Sequence, residues 1–371
     1  MKRLLFIFGT RPEAIKFAPL VKAFQNRIEE FETKVCVTAQ HRTMLDQVLN
    51  FFSIKPDYDL NIMRPNQTLF DITAESLKGI EAVLNDHKPE FIFVQGDTTT
   101  AFIGALSAFY KKIKILHIEA GLRSFNKYSP FPEEANRLLI GRLADYHFAP
   151  TELAKQNLYN EGIKNNIYVT GNTIIDALFL CLKIIKEQGE ERFIKFFNFI
   201  NLSNKIILVT MHRRESFGQP FRNICYALKN IADKFEDVEI VYPMHLNPNV
   251  RKPVSEILNG HKRIHLIEPL EYPYLIWLMS KSYIILTDSG GIQEEAPSLK
   301  KPVLVMRDIT ERIEGIEAMT SKLIGTNKDR IVQETEALLL NALEYTKMAK
   351  NNNPYGNGTT CNKIINILEG V

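Results

Sequence analysis

The sequence predicts an α/β protein made of two doubly wound, parallel-sheet domains, and three observations predict it. Short apolar runs alternate with longer amphipathic stretches from end to end, the pattern of strands joined by crossover helices. The pattern runs once through the first half and restarts near Ile206. Polar clusters follow several of the apolar runs directly, where an open parallel sheet presents ligand sites.

The first strand is expected at Arg3 to Phe8. Lys2 and Arg3 before LLFIF resemble the start of a secretory signal, but the apolar run is too short and is closed by Gly9, Arg11, Pro12 and Glu13. Further strands are expected at Thr33 to Thr38, Phe91 to Gln95, Lys114 to Ile118 and Tyr146 to Ala149, with helices such as Glu13 to Arg27 and Ile72 to Leu84 between them. The second set comprises Ile206 to Thr210, Glu239 to Tyr242, Arg263 to Leu266, Tyr283 to Leu286 and Pro302 to Val305. The boundary falls between about Gly171 and Asn204, giving a first domain over 1–175 and a second over 176–356. The turn-rich NNNPYGNG precedes a last helix, about 357–371, expected to cross back onto the first domain. Ligands are expected in the cleft between the two domains.

A chain of 371 residues is too long for one ordinary core, and 45% hydrophobic content is that of a globular protein. The formal charge of +3, from 46 basic and 43 acidic residues, excludes a whole-protein field for nucleic acid or membrane, so any anion site is local. No apolar stretch reaches membrane-spanning length. Cys36, Cys181, Cys225 and Cys361 show neither close pairing nor metal-ligand spacing. A cytoplasmic, disulfide-free protein without nucleic-acid or membrane partners is expected.

Six clusters carry the chemistry. In FPEEANR, Pro132 suits a first helical position, placing Glu133 in the first turn beside Asn136 and Arg137; a carboxylate so held can move protons, although Glu133 and Glu134 could equally serve the helix dipole and pair with Arg137. Gly9-Thr10-Arg11-Pro12-Glu13 offers backbone N–H groups to an anion, with Arg11 adding a charged fork, or is a plain strand-to-helix turn. Asp97, in QGDTTT after a strand, is either an N-cap or a catalytic carboxylate. Strand KILHI delivers Glu119 and Arg123, which could form a buried structural pair.

In the second half, His212, Arg213 and Arg214 follow a strand and suit an anionic ligand, with His212 able to hold or relay a proton. DSGGIQEE places Ser289, Gly290 and Gly291 at a helix start that a diphosphate can approach, and Glu295 where it can accept from ribose hydroxyls. No histidine, cysteine or carboxylate set has zinc or calcium spacing, so no metal is expected.

GTRPEAIK, TAQHR, GDTTT, EAGLR, PEEANR, HRRESFG, YPMHLNP and DSGGIQEEAPS stand in order along this chain. In that ordered set, and over essentially its full length, the sequence resembles the non-hydrolysing UDP-N-acetylglucosamine 2-epimerases. The resemblance implies a GT-B fold with two Rossmann-like domains, the nucleotide mainly on the second, and a homodimer. It implies reversible conversion of UDP-N-acetylglucosamine to UDP-N-acetylmannosamine by anti elimination of UDP and re-addition, with no cofactor. Asp97, Glu119 and Glu133 match the family's acid/base carboxylates and His212 its essential histidine. Arg11, Lys16, Arg137 and Arg213 match residues that hold substrate or phosphate charge, Ser289, Gly290 and Gly291 the diphosphate cradle, and Glu295 the ribose contact.

Leu275 stands where family members carry an aromatic residue before the helix of Trp277, with Tyr274 one place earlier. Gln40, Gln67 and His245 fit an activating site for a second UDP-N-acetylglucosamine, but Thr43 and Asn66 replace longer polar side chains there. A GT-B glycosyltransferase, a hydrolysing epimerase and a non-catalytic sugar-nucleotide sensor are the competing readings. Three first-domain carboxylates favour epimerisation over transfer, which needs at most one general base. A sensor would be expected to lose them.

Overall fold

The computed structural model describes residues 1–39, 42–64 and 66–371; the side chain of Thr43 is not described. Contacts divide the chain into two units, Met1–Leu180 with Tyr355–Val371, and Cys181–Pro354.

The first unit holds a seven-stranded sheet: β1 (Lys2–Phe8), β2 (Phe31–Val37), β3 (Tyr58–Asp59), β4 (Phe91–Gln95), β5 (Lys114–Ile118), β6 (Tyr146–Ala149) and β7 (Ile167–Val169). Its order is β3-β2-β1-β4-β5-β6-β7 and every pairing is parallel. Residues 4–8 of β1 and all of β4 are buried, which is why they read as continuous apolar runs instead of alternating ones. Phe6 stacks on Phe93 across the two central strands at 4.4 Å and meets Phe17 of helix Arg11–Gln25 edge-on at 5.2 Å. The last helix, Thr360–Glu369, packs on helix Arg11–Gln25, and Lys2 Nζ donates to the Leu368 carbonyl at 2.6 Å.

The second unit holds a six-stranded parallel sheet: β8 (Lys205–Thr210), β9 (Val238–Pro243), β10 (Ile264–Ile267), β11 (Ile284–Thr287), β12 (Val303–Val305) and β13 (Ser321–Leu323), ordered β10-β9-β8-β11-β12-β13. Helix Gln219–Lys234 covers one face with Phe221, Ile224, Leu228 and Ile231 against Ile207, Val209 and Ile240. Helix Tyr272–Lys281 carries Trp277, stacked on Phe197 at 5.2 Å and donating through Nε1 to Glu190 at 2.9 Å.

The expected strands form within one or two residues of their predicted ends, and three short ones, β3, β7 and β13, add to them. No described helix is long and apolar enough to cross a membrane. All four cysteines are buried and free.

Candidate active site

In each sheet the strand order reverses direction at one point, between β1 and β4 in the first unit and between β8 and β11 in the second. Loops leaving two such strands diverge to opposite faces and open a crevice at the carboxyl ends. In the first unit that end of the sheet carries a cavity of about 400 Å³, lined by Arg11, Lys16, Asp97, Glu119 and Glu133 among others.

Glu119 follows β5 and is 8% exposed. Its backbone is left-handed, φ 63°, a strained choice for a non-glycine residue that is met at functional sites. Donors that orient its carboxylate include Lys16 Nζ, Gln95 Nε2 at 2.7 Å and Asn172 Nδ2 at 2.9 Å. The expected alternative pairing with Arg123 does not form, because Arg123 makes a two-pronged bond to Glu161 at 2.6 and 2.8 Å.

Asp97 is not an N-cap. Thr98 caps helix Thr99–Tyr110, its hydroxyl accepting from Ala101 N at 3.0 Å, and so leaves the Asp97 side chain for Arg137. Arg137 Nε donates to Asp97 Oδ2 at 2.7 Å while Nη1 donates to Glu134 Oε2 at 2.8 Å. Asn136 Nδ2 donates to the Asp97 carbonyl at 2.8 Å, so one helix, Glu133–Leu143, fixes the whole loop. Pro132 precedes that helix as its N-cap residue instead of opening it. The partner of Arg137 within the helix is thus Glu134, 1% exposed, while Glu133 lines the cavity with a buried Oε2 that has no hydrogen-bond partner among the described residues.

The turn after β1 does not offer its N–H groups to an external anion. Gly9 N and Thr10 N both donate to Glu13 Oε2, at 3.0 and 2.8 Å, and Thr98 Oγ1 donates to Glu13 Oε1 at 2.6 Å. The carboxylate that the sequence places three residues into the helix reaches back in a capping box and occupies the anion position itself. Burial pushes the Glu13 carboxyl up from its ordinary range against these hydrogen bonds. Gly9 is required here: a Cβ would lie 2.1 Å from Thr38 Oγ1.

In the second unit, Asp288 closes the crevice between β8 and β11. Its Oδ2 accepts from His212 N and Arg213 N, both at 2.8 Å, and its Oδ1 lies 3.3 Å from His212 Nδ1. The His212 ring is flanked by His245, centroids 5.8 Å apart and planes 22° from parallel. Burial, and then the neighbouring His212, lower the His245 pKa. Ser289 precedes the short helix Gly290–Glu295, and Gly291 faces open space, so nothing blocks close approach to the helix start. Arg312, held by Glu294, lies over Gly290 with Nη2 3.5 Å from where a Cβ would sit. Sequence reading gave Asp288 and Arg312 no role of their own, since each acts on a segment apart in the chain, whereas Glu134 takes the pairing with Arg137 that the sequence left open.

Glu295 is buried and accepts from Tyr272 Oη at 2.9 Å. Tyr274 and half-buried Leu275 lie inside the helix of Trp277, not before it, and Tyr274 is committed to packing on Phe193 and Phe196, each 4.8 Å away. Gln67 turns its amide onto the Ile62 carbonyl, and Gln40 lies outside the described residues. Of that trio, His245 joins His212.

A family model described as UDP-N-acetylglucosamine 2-epimerase matches residues 22–369. A UDP-N-acetylglucosamine 2-epimerase of Campylobacter jejuni is 56% identical over 375 residues, 99% of this chain and 97% of the relative. The crystal structure of UDP-GlcNAc 2-epimerase from Neisseria meningitidis bound to UDP-GlcNAc is 50% identical, with a TM-score of 0.91 and 100% of both chains covered. That of Methanocaldococcus jannaschii UDP-GlcNAc 2-epimerase in complex with UDP-GlcNAc and UDP is 37% identical, with a TM-score of 0.81 and 100% of both chains covered. The two-sheet α/β architecture is the GT-B-like fold.

Proposed function

The chain belongs to the UDP-N-acetylglucosamine 2-epimerase family, and from that premise we propose that it interconverts UDP-N-acetylglucosamine and UDP-N-acetylmannosamine without net hydrolysis. The observation that carries the mechanism is the convergence of Asp97, Glu119 and Glu133 on one cavity with Lys16 and Arg11. C2 of the sugar has no adjacent carbonyl to acidify its proton, so deprotonation to an enolate-stabilised carbanion with UDP still attached is excluded. Instead a carboxylate takes the C2 proton, the C–H electron pair forms the C1–C2 double bond, and the C1–O pair leaves on UDP. Re-addition of UDP with protonation of C2 on the opposite face gives the epimer. Two faces require proton-transfer groups on both sides, which Asp97, Glu119 and Glu133 supply.

His212 and Arg213 take the charge that develops on the departing diphosphate, and Arg11, Lys16 and Arg137 hold substrate and carboxylates in place. The start of the helix at Ser289, Gly290 and Gly291 receives the diphosphate, because the first N–H groups of a helix lack intrahelical partners. Glu295 meets the ribose and Leu275 the uracil. No cofactor takes part. The protein acts as a cytoplasmic homodimer supplying N-acetylmannosamine units for bacterial surface polysaccharide. Exposed Phe70, Phe109, Tyr110 and Leu139 on neighbouring first-unit helices offer apolar surface for the dimer.

The test is incubation of purified protein with UDP-N-acetylglucosamine, followed through the anomeric proton signals by NMR. A mixture of two intact sugar nucleotides is expected. Accumulation of UDP with free N-acetylmannosamine would replace this reading with a hydrolysing one, and no change at all would refute turnover.

A further inference from the structure

Asp288 is 1% exposed, and its two oxygens are in different situations. Oδ2 accepts two backbone N–H groups, from His212 and Arg213. Oδ1 is buried and has no hydrogen-bond partner among the described residues, though His212 Nδ1 is 3.3 Å away. Such an orphan in a native fold calls for an explanation. The nearby hydroxyls are engaged elsewhere: Thr210 and Thr287 pair with each other at 2.6 Å, and Tyr242 Oη donates to the Met211 carbonyl at 3.2 Å. His245 keeps its own proton on Nε2, since its Nδ1 accepts from Asn247 N at 3.1 Å, and its ring lies against that of His212.

We propose that Asp288 is a positioning residue for the epimerase reaction: its Oδ1 fixes the neutral His212 imidazole with the proton on Nδ1, leaving Nε2 as the nitrogen that meets the departing diphosphate. A carboxylate only accepts, so the nitrogen facing it must carry hydrogen, and the tautomer of the free ring follows. The same residue anchors the backbone of Arg213, so one buried carboxylate sets the direction of both groups assigned to the diphosphate. The kinetic side of this proposal rests on the functional reading above; the tautomer does not.

Asp288→Asn is the discriminating change. The asparagine oxygen can keep both backbone N–H bonds, which turns the amide NH2 toward His212 Nδ1, where it can only donate; the ring is then driven to the Nε2–H form. Long-range 15N–1H spectra of the histidine-labelled full chain in mildly alkaline buffer, with His212 assigned from His212→Asn, read the tautomer directly. The wild type is expected to show Nδ1–H and Asp288→Asn to show Nε2–H. An Nε2–H ring in the wild type, or the same tautomer in both proteins, overturns the proposal; should the variant not fold, the wild-type spectrum alone decides. Kinetically, Asp288→Asn should lower kcat about 10²-fold with KM little changed, in the range of acid–base and oriented-histidine effects. In a His212→Asn background the same change should cost less than about twofold, the non-additivity of residues acting as a unit. Equal losses in both backgrounds would mean Asp288 is only structural. A wild type that shows no epimerisation would remove the functional reading while leaving the spectroscopic test intact.

Discussion

Arg137 grips Asp97 with two nitrogens, Nε and Nη2, each 2.7 Å from Oδ2, and spends its remaining fork on buried Glu134 at 2.8 Å. Arg137→Ala therefore leaves two carboxylates without their cation. It is expected to lower stability by about 2–4 kcal/mol, as when one partner of a partly buried pair is removed. Arg137→Lys should recover part of the stability but little activity, because a point charge cannot serve both partners. Chemical denaturation and initial rates on the same preparations check this.

Glu119→Gln should lower kcat by roughly 10²–10⁴-fold, the usual range for loss of a general acid or base. Asn172→Ala removes one of the donors that orient Glu119, at 2.9 Å, and should cost less, about tenfold in kcat, since Lys16 and Gln95 remain. Comparing UDP affinity by calorimetry keeps the interpretation clean: both variants should bind UDP as the wild type does.

Acid should destabilise the first unit through two buried histidines. Burial holds His117 down to about 3 and His147 down to about 4, from an ordinary 6.5. The unfolded chain then binds more protons than the folded one below about pH 6.5, so the stability is present above that pH and is lost as pH falls toward 4, at about 1.4 kcal/mol per pH unit for each ring. His117 Nε2 bonds the Gly96 carbonyl at 2.8 Å, beside Asp97. His117→Gln should flatten that slope by about one proton in urea titrations run between pH 4.5 and 7; an unchanged slope would show that His117 does not carry it.

Glu13→Ala exposes the internal anion by removing it. Gly9 N and Thr10 N lose their acceptor, and stability should fall by about 1–3 kcal/mol. Gly9→Ala should be comparably costly, since its Cβ would meet Thr38 and Thr100 at 2.1 and 2.7 Å. Thermal unfolding of both variants tests the arrangement.

The sheets were legible in the sequence because their central strands are buried on both faces and so appear as unbroken apolar runs. Tyr58–Asp59, Ile167–Val169 and Ser321–Leu323 were not, since two or three residues at a sheet margin carry no periodic signal. The polar clusters were legible as loops after strands, but their partners were not. Whether Arg123 meets Glu119 or Glu161 depends on how loops from different strands are brought together, while Arg137 chooses Glu134 over Glu133 within one helix, where both lie a turn away. Glu13 was misleading for a local reason: an anion-binding turn and a turn filled by its own carboxylate share one sequence pattern.

Proton exchange at C2 is the central claim, and deuterated water tests it most directly. Wild-type protein given UDP-N-acetylglucosamine in that solvent should place one deuterium at C2 of the UDP-N-acetylmannosamine formed, and of the substrate that is re-formed, with Glu119→Gln slowing both. UDP-N-acetylmannosamine that appears with its original C2 proton in place would contradict the account.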